Sequence, residues 1–389
     1  MRLLIAAHAA VIDLNRRHYD HIVRLRPDWA LRVVAPAAYR ATGSRVRYCC
    51  EPLPTGRGYE IVTVPAHFAR HPLTLCYARS LTRAVGEFAP DLIHIDEEPP
   101  SPAAVQLTRL AIQLGVPRII YSSQNLLKTY PPPFRWFERY CLRHADFAFG
   151  LNQEALEHLR RKGFRGPSAV TWFGYDEELF CPLEPEERAR RREEAGVRGL
   201  CVAFAGTLWE QKGILDLVAA LREVQSPCTL LVLGGGPLAP QVAATRDDPD
   251  WRHITLLPGQ VPHAEVARWL QLADVLVLPS RTVPSWKEQF GRVLVEAMAC
   301  GTAAVGSDSG EIPHVIGDAG IVFPEGDVRL LAASLEGLAT DRRRLLDLQE
   351  AGLARAQAVF RWEELARQRC VLYESVLERN ATRSAREEA

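Results

Sequence analysis

Residues 279–301, PSRTVPSWKEQFGRVLVEAMACG, place a loop and a helix between two apolar runs. The run Val275–Leu278 precedes this stretch, and the run Ala303–Gly306 follows it. Arg292–Cys300 has the pattern of a helix and stops at Gly301, a residue type favoured in left-handed helix caps. A strand, a loop, a helix and a second strand in this order are typical of a parallel sheet. The stretch therefore predicts an α/β fold.

Similar alternation extends outward along the chain. Continuous apolar runs separated by helical patterns indicate strands that helices cover on both faces, as in parallel sheets. We predict seven strands in the first half and six in the second, which together suggest two doubly wound sheets in series. The predicted strands are Leu3–Ala7, Leu31–Ala35, Ile61–Val64, Leu92–Ile95, Ile119–Ser122, Phe147–Gly150, Ala169–Phe173, Val202–Ala205, Leu230–Leu233, Ile254–Leu257, Val275–Leu278, Ala303–Gly306 and Ile321–Phe323.

A break in this alternation separates the two series of strands. It contains Gly174–Asp176, then FCPL, then a charged helical stretch. The length of 389 residues also favours two domains. We predict an N-terminal domain over 1–175 and a C-terminal domain over 176–360. A final amphipathic helix over 361–389 is expected to pack back on the first domain and to end in a frayed tail.

The bulk composition is that of a water-soluble globular protein. Lys plus Arg and Asp plus Glu each number 47, which argues against a nucleic-acid partner. The nine cysteines include no C-x-x-C pair, so we expect reduced, mostly buried thiols and a cytoplasmic protein. The apolar start of the chain is interpreted as a first strand rather than a signal peptide. No apolar run is long enough for a membrane-spanning helix.

The distinctive residues of the second half follow predicted strands, where ligands bind in open α/β sheets. Gly206 directly follows one strand, and a glycine there lets the backbone approach a ligand. Lys212 stands at the expected start of a helix, where N–H groups and the helix dipole favour an anion. The segment PSR and then WKEQFG follow another strand. These residues predict an anion-binding site.

Glu288 and Glu296 supply two carboxylates at different depths of the same site. Glu288 is expected in the loop before the helix, and Glu296 more than one turn inside it. A carboxylate accepts hydrogen bonds from vicinal hydroxyls, so one could hold a ribose and the other a hexose. Taken alone, the pair is better explained as acidic residues that the helix dipole favours.

The surrounding sequence favours a binding role for Glu288 and Glu296 over this structural explanation. Residues 279–301 resemble the donor-site signature of glycosyltransferase family 4, in which E-x-F-G precedes an E-A-M-A-x-G helix. The resemblance continues through FAGTLWEQKG, LLVLGGGP and SDSGEIPHVIGDAGIVFPEGD, and covers nearly all of Val202–Asp327. It implies the GT-B fold, with two facing Rossmann-like, doubly wound parallel-sheet domains. It also implies retaining, metal-independent transfer from a nucleotide diphosphate sugar, with no cofactor.

The resemblance also implies roles for individual residues. Lys212 binds the diphosphate and stabilises its charge during transfer, and Glu296 holds the ribose. Glu288 contacts the transferred sugar, assisted by backbone N–H groups that follow it. The expected donor-binding residues are Gly206, Thr207, Lys212, Val261, Glu288, Gln289, Phe290, Gly291 and Glu296.

This chain departs from the family pattern at two places. Thr207 stands where family members usually carry Arg, so Lys212 is the one cation left from that pair. Arg281 or Arg292 could replace the missing charge. The loop after the first strand reads AHAA over 7–10, where a glycine pair is common. Both departures bear on donor affinity and on activity.

Acceptor-side signals lie in the first half. His94, near the end of a predicted strand, is a candidate catalytic residue that faces the reacting sugar. A buried histidine satisfied by a backbone carbonyl explains it equally well. Asp96, Glu97 and Glu98 could bind acceptor hydroxyls, although a solvated acidic loop explains them better. Asn125 could contact the acceptor or cap a following helix.

The segment 131–137, PPPFRWF, is a candidate contact with a lipid-linked acceptor or with a membrane surface, which would bring the protein to the inner face of the membrane. Packing at the start of a helix explains these residues better.

Three functions fit the sequence to different degrees. The leading hypothesis is a retaining glycosyltransferase in polysaccharide, glycolipid or glycoconjugate biosynthesis, acting on a glycan, lipid-linked or small-molecule acceptor. A nucleotide-sugar epimerase shares the fold, and a non-catalytic glycosyltransferase-like subunit would explain Thr207. A dinucleotide-dependent dehydrogenase is poorly supported, because no G-x-G-x-x-G follows the first strand.

Overall fold

A computed structural model of the chain describes residues 1–40, 48–53 and 58–387, with side chains of the last helix described to Arg383. The chain divides into two compact units. The first comprises Met1–Trp172 together with Trp362–Ala389, and the second comprises Phe173–Arg361. Within the described residues, no helix is long and apolar enough to cross a membrane.

The first unit is built on a parallel sheet of seven strands. The strands of this unit, inside and outside the large sheet, are β1 (Arg2–Ala7), β2 (Ala30–Pro36), β3 (Ala38–Tyr39), β4 (Tyr48–Cys49), β5 (Tyr59–Val64), β6 (Ala66–His67), β7 (Cys76–Tyr77), β8 (Leu92–Asp96), β9 (Arg118–Ser122), β10 (Phe147–Gly150) and β11 (Ser168–Val170). The helices before the linker are α1 (Arg17–Leu25), α2 (Ser80–Gly86), α3 (Pro102–Leu114), α4 (Phe134–His144) and α5 (Gln153–Arg161). The large sheet has the order β11-β10-β9-β8-β1-β2-β5, while β3-β4 and β6-β7 form two small antiparallel pairs.

The second unit contains a parallel sheet of six strands. They are β12 (Leu200–Ala205), β13 (Cys228–Leu233), β14 (Ile254–Gly259), β15 (Val275–Leu278), β16 (Ala303–Ser307) and β17 (Gly320–Phe323). The helices are α6 (Pro185–Glu194), α7 (Ile214–Glu223), α8 (Ala239–Ala243), α9 (His263–Leu270), α10 (Arg292–Ala299), α11 (Ile312–Ile316), α12 (Val328–Thr340) and α13 (Arg342–Val359). The order β14-β13-β12-β15-β16-β17 is the Rossmann order, which reverses between β12 and β15.

Strand β1 shows why apolar runs form a sheet with two covered faces. Successive strand residues point to opposite faces. Leu3 and Ile5 join one buried cluster, together with Tyr19 of α1. Leu4 and Ala6 join a second cluster, which includes residues of α3. Both faces therefore exclude water, which explains the run of apolar residues without alternation.

The last helix, α14 (Trp362–Glu387), belongs to the first unit. Its residues Ala366, Cys370, Tyr373 and Val376 recur at helical spacing and enter the apolar cluster that contains β1 residues Leu3 and Ile5. The tail that we expected to fray is helical to Glu387, and 388–389 lie outside the described residues.

All nine cysteines are free, and six of them are buried. Burial raises the pKa of the Cys141 and Cys201 thiols to about 12. Such thiols stay protonated at neutral pH and act as small apolar side chains.

Candidate functional site

The predicted donor residues lie at the point where the second sheet reverses its strand order. Strands β12 and β15 are neighbours there, and their carboxyl ends meet at one edge. The segment 206–213 follows β12, and the segment 279–291 follows β15. Ligands of open α/β sheets bind at such positions.

A close backbone contact joins these two segments. Gly213 has a φ of +70°, and a Cβ atom there would lie 1.8 Å from the carbonyl oxygen of Pro279. The backbone N–H of Arg281 donates to the carbonyl of Gln211 at 2.8 Å. A glycine is therefore required directly after Lys212, because any side chain would separate the two segments.

Lys212 and Glu288 form an ion pair across this junction. Lys212 Nζ lies 2.7 Å from Glu288 Oε2, and the same oxygen accepts a hydrogen bond of 3.0 Å from Ser280 Oγ. The ammonium also lies 4.7 Å from the ring centroid of Trp286. Glu288 is buried, with 7% of its surface exposed. A cation and a carboxylate are thus held together beside the ends of the central strands.

Lys212 lies slightly before the position that the sequence predicts. It ends a short 3₁₀ turn, Glu210–Lys212, and α7 begins two residues later at Ile214. Gly213 is the residue that caps α7. The ammonium is therefore held beside the loop after β15 by Glu288 and Trp286, rather than by the first turn of its own helix.

A cavity of about 290 Å³ lies at the ends of β12 and β13. It is lined by Ala205, Gly206, Thr207, Leu233, Gly234, Gly235, Gln260, Val261 and Val266. A Cβ atom at Gly234 would lie 1.9 Å from the carbonyl oxygen of Gly206, so this wall must be glycine. The structure brings the predicted donor residues Gly206, Thr207 and Val261 together around one space.

Glu288 and Glu296 lie on the loop and helix where the sequence predicts them. Glu288 lies in the loop before α10, and Glu296 is on the second turn of this helix. Glu296 is 5% exposed and its Oε1 is 2.8 Å from Nε2 of His263, at the start of α9. The sequence analysis did not single out His263. In the sequence, His263 is recognisable only as a polar residue two positions after the predicted donor residue Val261.

The residues between the carboxylates shape the start of α10. Gly291 has a φ of +78° and is the N-cap. Phe290 is buried, with its ring 5.8 Å from that of Phe173 and 6.0 Å from that of Phe360. Gln289 is partly buried. The packing of Phe290 fixes where the loop residues Glu288 and Gln289 lie.

Arg281 and Arg292, the two candidates for a second cation, both have partners in the second unit. The guanidinium of Arg281 forms two hydrogen bonds of 2.6 Å with the carboxylate of Asp216 on α7. The guanidinium of Arg292 lies 4.7 Å from the ring centroid of Phe173. The hypothesis that one of them replaces the arginine usual at the position of Thr207 stays a prediction, and for Arg281 it requires that the guanidinium leave Asp216 in part.

His94 lies inside the first unit rather than at the mouth of its sheet. It is 3% exposed, and its Nδ1 is 2.9 Å from the hydroxyl of Tyr373 on α14. Its Nε2 is buried without a hydrogen-bond partner in the described part of the chain. Burial and the nearby Arg369 lower the pKa of His94 to about 3. The side chain partner is a hydroxyl, not the backbone carbonyl of the alternative explanation, and this position gives no support to a catalytic role.

Asp96 and Asn125 lie at the carboxyl ends of strands in the first sheet. Asp96 ends β8, and burial raises its pKa to about 6 despite the opposing charge of Arg369. Asn125 is buried three residues after β9. The helix-cap explanation of Asn125 is wrong, because the next helix, α4, begins at Phe134 with Pro133 as its N-cap.

The structure brings His8 and Glu97 together at this same edge. His8 follows β1 and Glu97 follows β8, and their side chains are 2.6 Å apart. The sequence marks Glu97 as a possible acceptor-binding residue but assigns no role to His8, whose signal was its position directly after the predicted strand Leu3–Ala7.

Comparisons with known proteins agree with this architecture. A profile described as "Glycosyl transferases group 1" matches residues 199–341, and one described as "Glycosyl transferase 4-like domain" matches residues 23–172. Together the two profiles cover most of the chain.

Among curated relatives, α-maltose-1-phosphate synthase of Mycolicibacterium smegmatis is 29% identical over 62% of this chain and 66% of its own length. A GDP-mannose-dependent phosphatidylinositol monomannoside mannosyltransferase of the same organism is 28% identical over 79% of this chain and 81% of its own length. A related mannosyltransferase of Corynebacterium glutamicum is 28% identical, and the match spans 62% of each chain. The chain thus spans less than two thirds of the length of the first and third of these relatives.

Solved structures share the fold over the whole chain. Sucrose-phosphate synthase from Thermosynechococcus elongatus has a TM-score of 0.68 at 19% identity, covering 97% of this chain and 99% of its own. Anabaena HepE in complex with UDP has a TM-score of 0.71 at 18% identity, covering 96% and 99%. The predicted α/β class, with two Rossmann-like domains of GT-B type, is confirmed. The chain belongs to the group 1 glycosyltransferases, the family that its sequence resembles.

Proposed function

We propose that this protein transfers a sugar from a nucleotide diphosphate sugar to a hydroxyl of a glycan, a glycolipid or another small acceptor. The observation that carries the proposal is the Lys212–Glu288 ion pair, which follows the two strands at the reversal of the second sheet. The pair offers a cation for a diphosphate and a carboxylate that accepts hydrogen bonds from sugar hydroxyls. A glycine-walled cavity of about 290 Å³ lies at the ends of β12 and β13 in the same unit. HepE, which shares the fold, was crystallised with UDP.

Each charged residue has a distinct role in this proposal. Glu296 accepts hydrogen bonds from the ribose hydroxyls, and His263 orients the Glu296 carboxylate through their contact of 2.8 Å. Glu288 accepts a hydrogen bond from the transferred sugar. Lys212 leaves its partner Glu288 in part to contact the diphosphate. Asp96 and Asn125 are proposed to contribute to acceptor binding in the first unit.

The chemistry follows from where charge develops. Negative charge grows on the departing phosphate as the glycosidic bond breaks, so a fixed cation beside it stabilises the transition state more than the ground state. The start of α10, with its backbone N–H groups, favours negative charge as well. In a retaining reaction of the kind the family suggests, the departing phosphate oxygen accepts the proton of the attacking hydroxyl. No separate protein base and no metal ion are needed in this scheme.

The test begins with a panel of UDP-, GDP- and ADP-sugars. The donor should raise the melting temperature, since a ligand at 100 times its Kd adds about 2.7 kcal/mol of apparent stability. The donor should then be hydrolysed slowly in water, with the anomeric configuration of the product retained and with activity unchanged in EDTA.

Other outcomes of this panel identify the competing functions. An isomerised nucleotide sugar would indicate an epimerase. Binding without hydrolysis or transfer would indicate a non-catalytic subunit, a possibility favoured by Thr207 and by the engagement of Arg281 with Asp216. Full loss of turnover in EDTA, restored by manganese, would contradict the metal-independent mechanism.

We propose a cytoplasmic location with peripheral contact to the inner face of the membrane. Nine free cysteines are typical of a reducing compartment. On the first unit, Trp136 and Leu127 have 59% and 53% of their surface exposed, and Lys128 and Arg135 beside them in sequence are exposed too. Exposed aromatic and basic residues together fit the interface of an anionic bilayer.

A further inference from the structure

The first sheet has its own reversal of strand order, between β1 and β8. These strands are parallel neighbours, and Ala7 is paired with Asp96 at their carboxyl ends. The next residue of each strand is therefore placed at the same level, which brings His8 beside Glu97. The donor-site pair Lys212–Glu288 occupies the corresponding position in the second sheet, after β12 and β15.

Glu97 holds His8 by two hydrogen bonds. The backbone N–H of His8 donates to Glu97 Oε1 at 2.8 Å, and His8 Nδ1 lies 2.6 Å from Oε2. The hydroxyl of Tyr77 donates to Oε1 at 3.0 Å. Glu97 is only 1% exposed, so its carboxylate is fully engaged in orienting the imidazole.

The other ring nitrogen of His8 is available for a ligand. The side chain is 19% exposed, and within residues 1–40, 48–53 and 58–387 no group bonds to its Nε2. The ring packs against Tyr39, with centroids 4.9 Å apart. Burial lowers the pKa of His8, but Glu97, Asp96 and Glu98 together outweigh it, so the pKa lies above its usual value. Protonation makes Nε2–H a hydrogen-bond donor.

The charges near His8 select the kind of oxygen that it can bind. Asp96 and Glu98 flank Glu97 in sequence, and their charges act on His8 as well. Glu98 is buried and accepts hydrogen bonds from Ser122 and Ser123. These carboxyl groups disfavour a phosphate beside His8, whereas a neutral hydroxyl is not repelled by them.

We propose that His8 binds a hydroxyl of the acceptor through Nε2, and that the acceptor group seated at β1 and β8 is an uncharged polyol such as a sugar or cyclitol ring. Glu97 is the positioning residue that fixes the imidazole. This inference rests on the proposed function, because it assigns the acceptor side of the same reaction.

The test compares acceptor kinetics with donor hydrolysis, using the nucleotide sugar that wild-type protein hydrolyses. The acceptors are glucose, myo-inositol and their monophosphates. His8→Ala should raise acceptor KM about 10- to 100-fold, the effect of losing a hydrogen bond to a charged group. The rise in acceptor KM should exceed any change in the Kd of the free nucleoside diphosphate or in the rate of donor hydrolysis. His144→Ala is the matched control, since it removes an imidazole at the end of α4.

Two further variants separate positioning from folding. His8→Gln keeps a side-chain N–H donor and should recover part of the acceptor affinity, with a wild-type melting temperature as evidence of folding. Glu97→Gln should raise acceptor KM in wild-type protein and have little further effect in the His8→Ala variant, because both changes remove the same contact.

The outcomes distinguish this inference from the proposed function. Wild-type protein that binds and hydrolyses no nucleotide sugar overturns both. Wild-type transfer with an unchanged acceptor KM in His8→Ala overturns the role of His8 alone. Wild-type hydrolysis with no transfer to any of the four acceptors overturns the polyol assignment. A rise in acceptor KM of His8→Ala that is confined to the two monophosphate acceptors also overturns the polyol assignment.

Discussion

Lys212 Nζ lies 2.7 Å from Glu288 Oε2, although 76 residues separate the two in sequence. Each residue follows one of the two strands between which the second sheet reverses its order. Their contact depends on Gly213, which lies against the carbonyl of Pro279. In the absence of donor, the pair keeps a cation and a buried carboxylate in place without an uncompensated charge.

The first prediction concerns Lys212 as the stabiliser of the departing phosphate. Lys212→Ala should still fold, with a lower melting temperature because Glu288 loses its partner, and should lose about 10²- to 10³-fold in turnover, as is typical when one such stabilising group is removed. The measurement is initial-rate transfer with the donor that the panel identifies, alongside a thermal melt. Lys128→Ala, which changes an exposed lysine of the first unit, should keep wild-type turnover. Near-normal turnover of Lys212→Ala would mean that another group holds the diphosphate.

The second prediction separates the two carboxylates. Glu288→Ala should abolish most transfer and keep its affinity for the free nucleoside diphosphate. Glu296→Ala should instead weaken that affinity about 10- to 100-fold, because hydrogen bonds to a charged group contribute roughly 1.5–3 kcal/mol. Calorimetric titration of each variant with the nucleoside diphosphate measures the difference. An exchange of these two phenotypes would show that the assigned roles are reversed.

The third prediction concerns the junction at Gly213. Gly213→Ala should destabilise the protein by at least about 2 kcal/mol, since a left-handed residue with a Cβ costs roughly 1–2 kcal/mol before the clash with Pro279 is counted. Turnover should fall too, because Lys212 moves away from Glu288. Gly86→Ala is the control, because that glycine has open space around its Cβ position and ordinary φ. Chemical denaturation of both variants would reveal equal stability if the junction tolerates a side chain.

The sequence predicted the strands well because each central strand is apolar on both faces. The predicted Val275–Leu278 agrees with β15 at both ends. The last strand of the first unit is shorter than predicted, since Ser168–Val170 ends before Trp172 and Phe173. Apolar character alone does not distinguish a strand from the packed chain that follows it.

The side-chain partners were harder to predict, because they depend on contacts between distant segments. His94 was placed correctly on its strand, but the residue that bonds it, Tyr373, is 279 positions away on α14. His8 and Glu97, 89 positions apart, meet because β1 and β8 are paired. The packing of α14 on the first sheet decides the first contact and strand order decides the second, and composition and periodicity specify neither.

The fourth prediction concerns peripheral membrane contact. Trp136→Ser should weaken sedimentation with phosphatidylglycerol-containing vesicles about tenfold, because burying a large apolar side chain contributes roughly 1.5–3 kcal/mol. Binding should also weaken as salt is raised, since Lys128 and Arg135 act through screened charges. Val371→Ser is the matched control, because Val371 is equally exposed at 59% but lies on α14. Equal sedimentation of wild type and Trp136→Ser would argue against this surface.

The fifth prediction is a pH dependence of stability that arises from His94. Its pKa is about 3 in the folded protein, because burial and Arg369 disfavour the imidazolium, against 6.5 for an ordinary histidine. Between these values the unfolded chain binds a proton at His94 and the folded protein does not. The stability due to the neutral imidazole is therefore present above pH 6.5 and is lost as the pH falls, with a slope of up to about 1.4 kcal/mol per pH unit.

His94→Leu should remove that contribution, so its free energy of unfolding should fall less steeply than wild type between pH 6.5 and pH 5. Tyr373→Phe removes only the hydrogen bond, should cost about 1 kcal/mol, and should keep the wild-type slope, because burial still excludes the charge. Denaturation at several pH values measures both effects, and parallel curves for His94→Leu and wild type would show that His94 takes up a proton in the folded state as readily as in the unfolded chain.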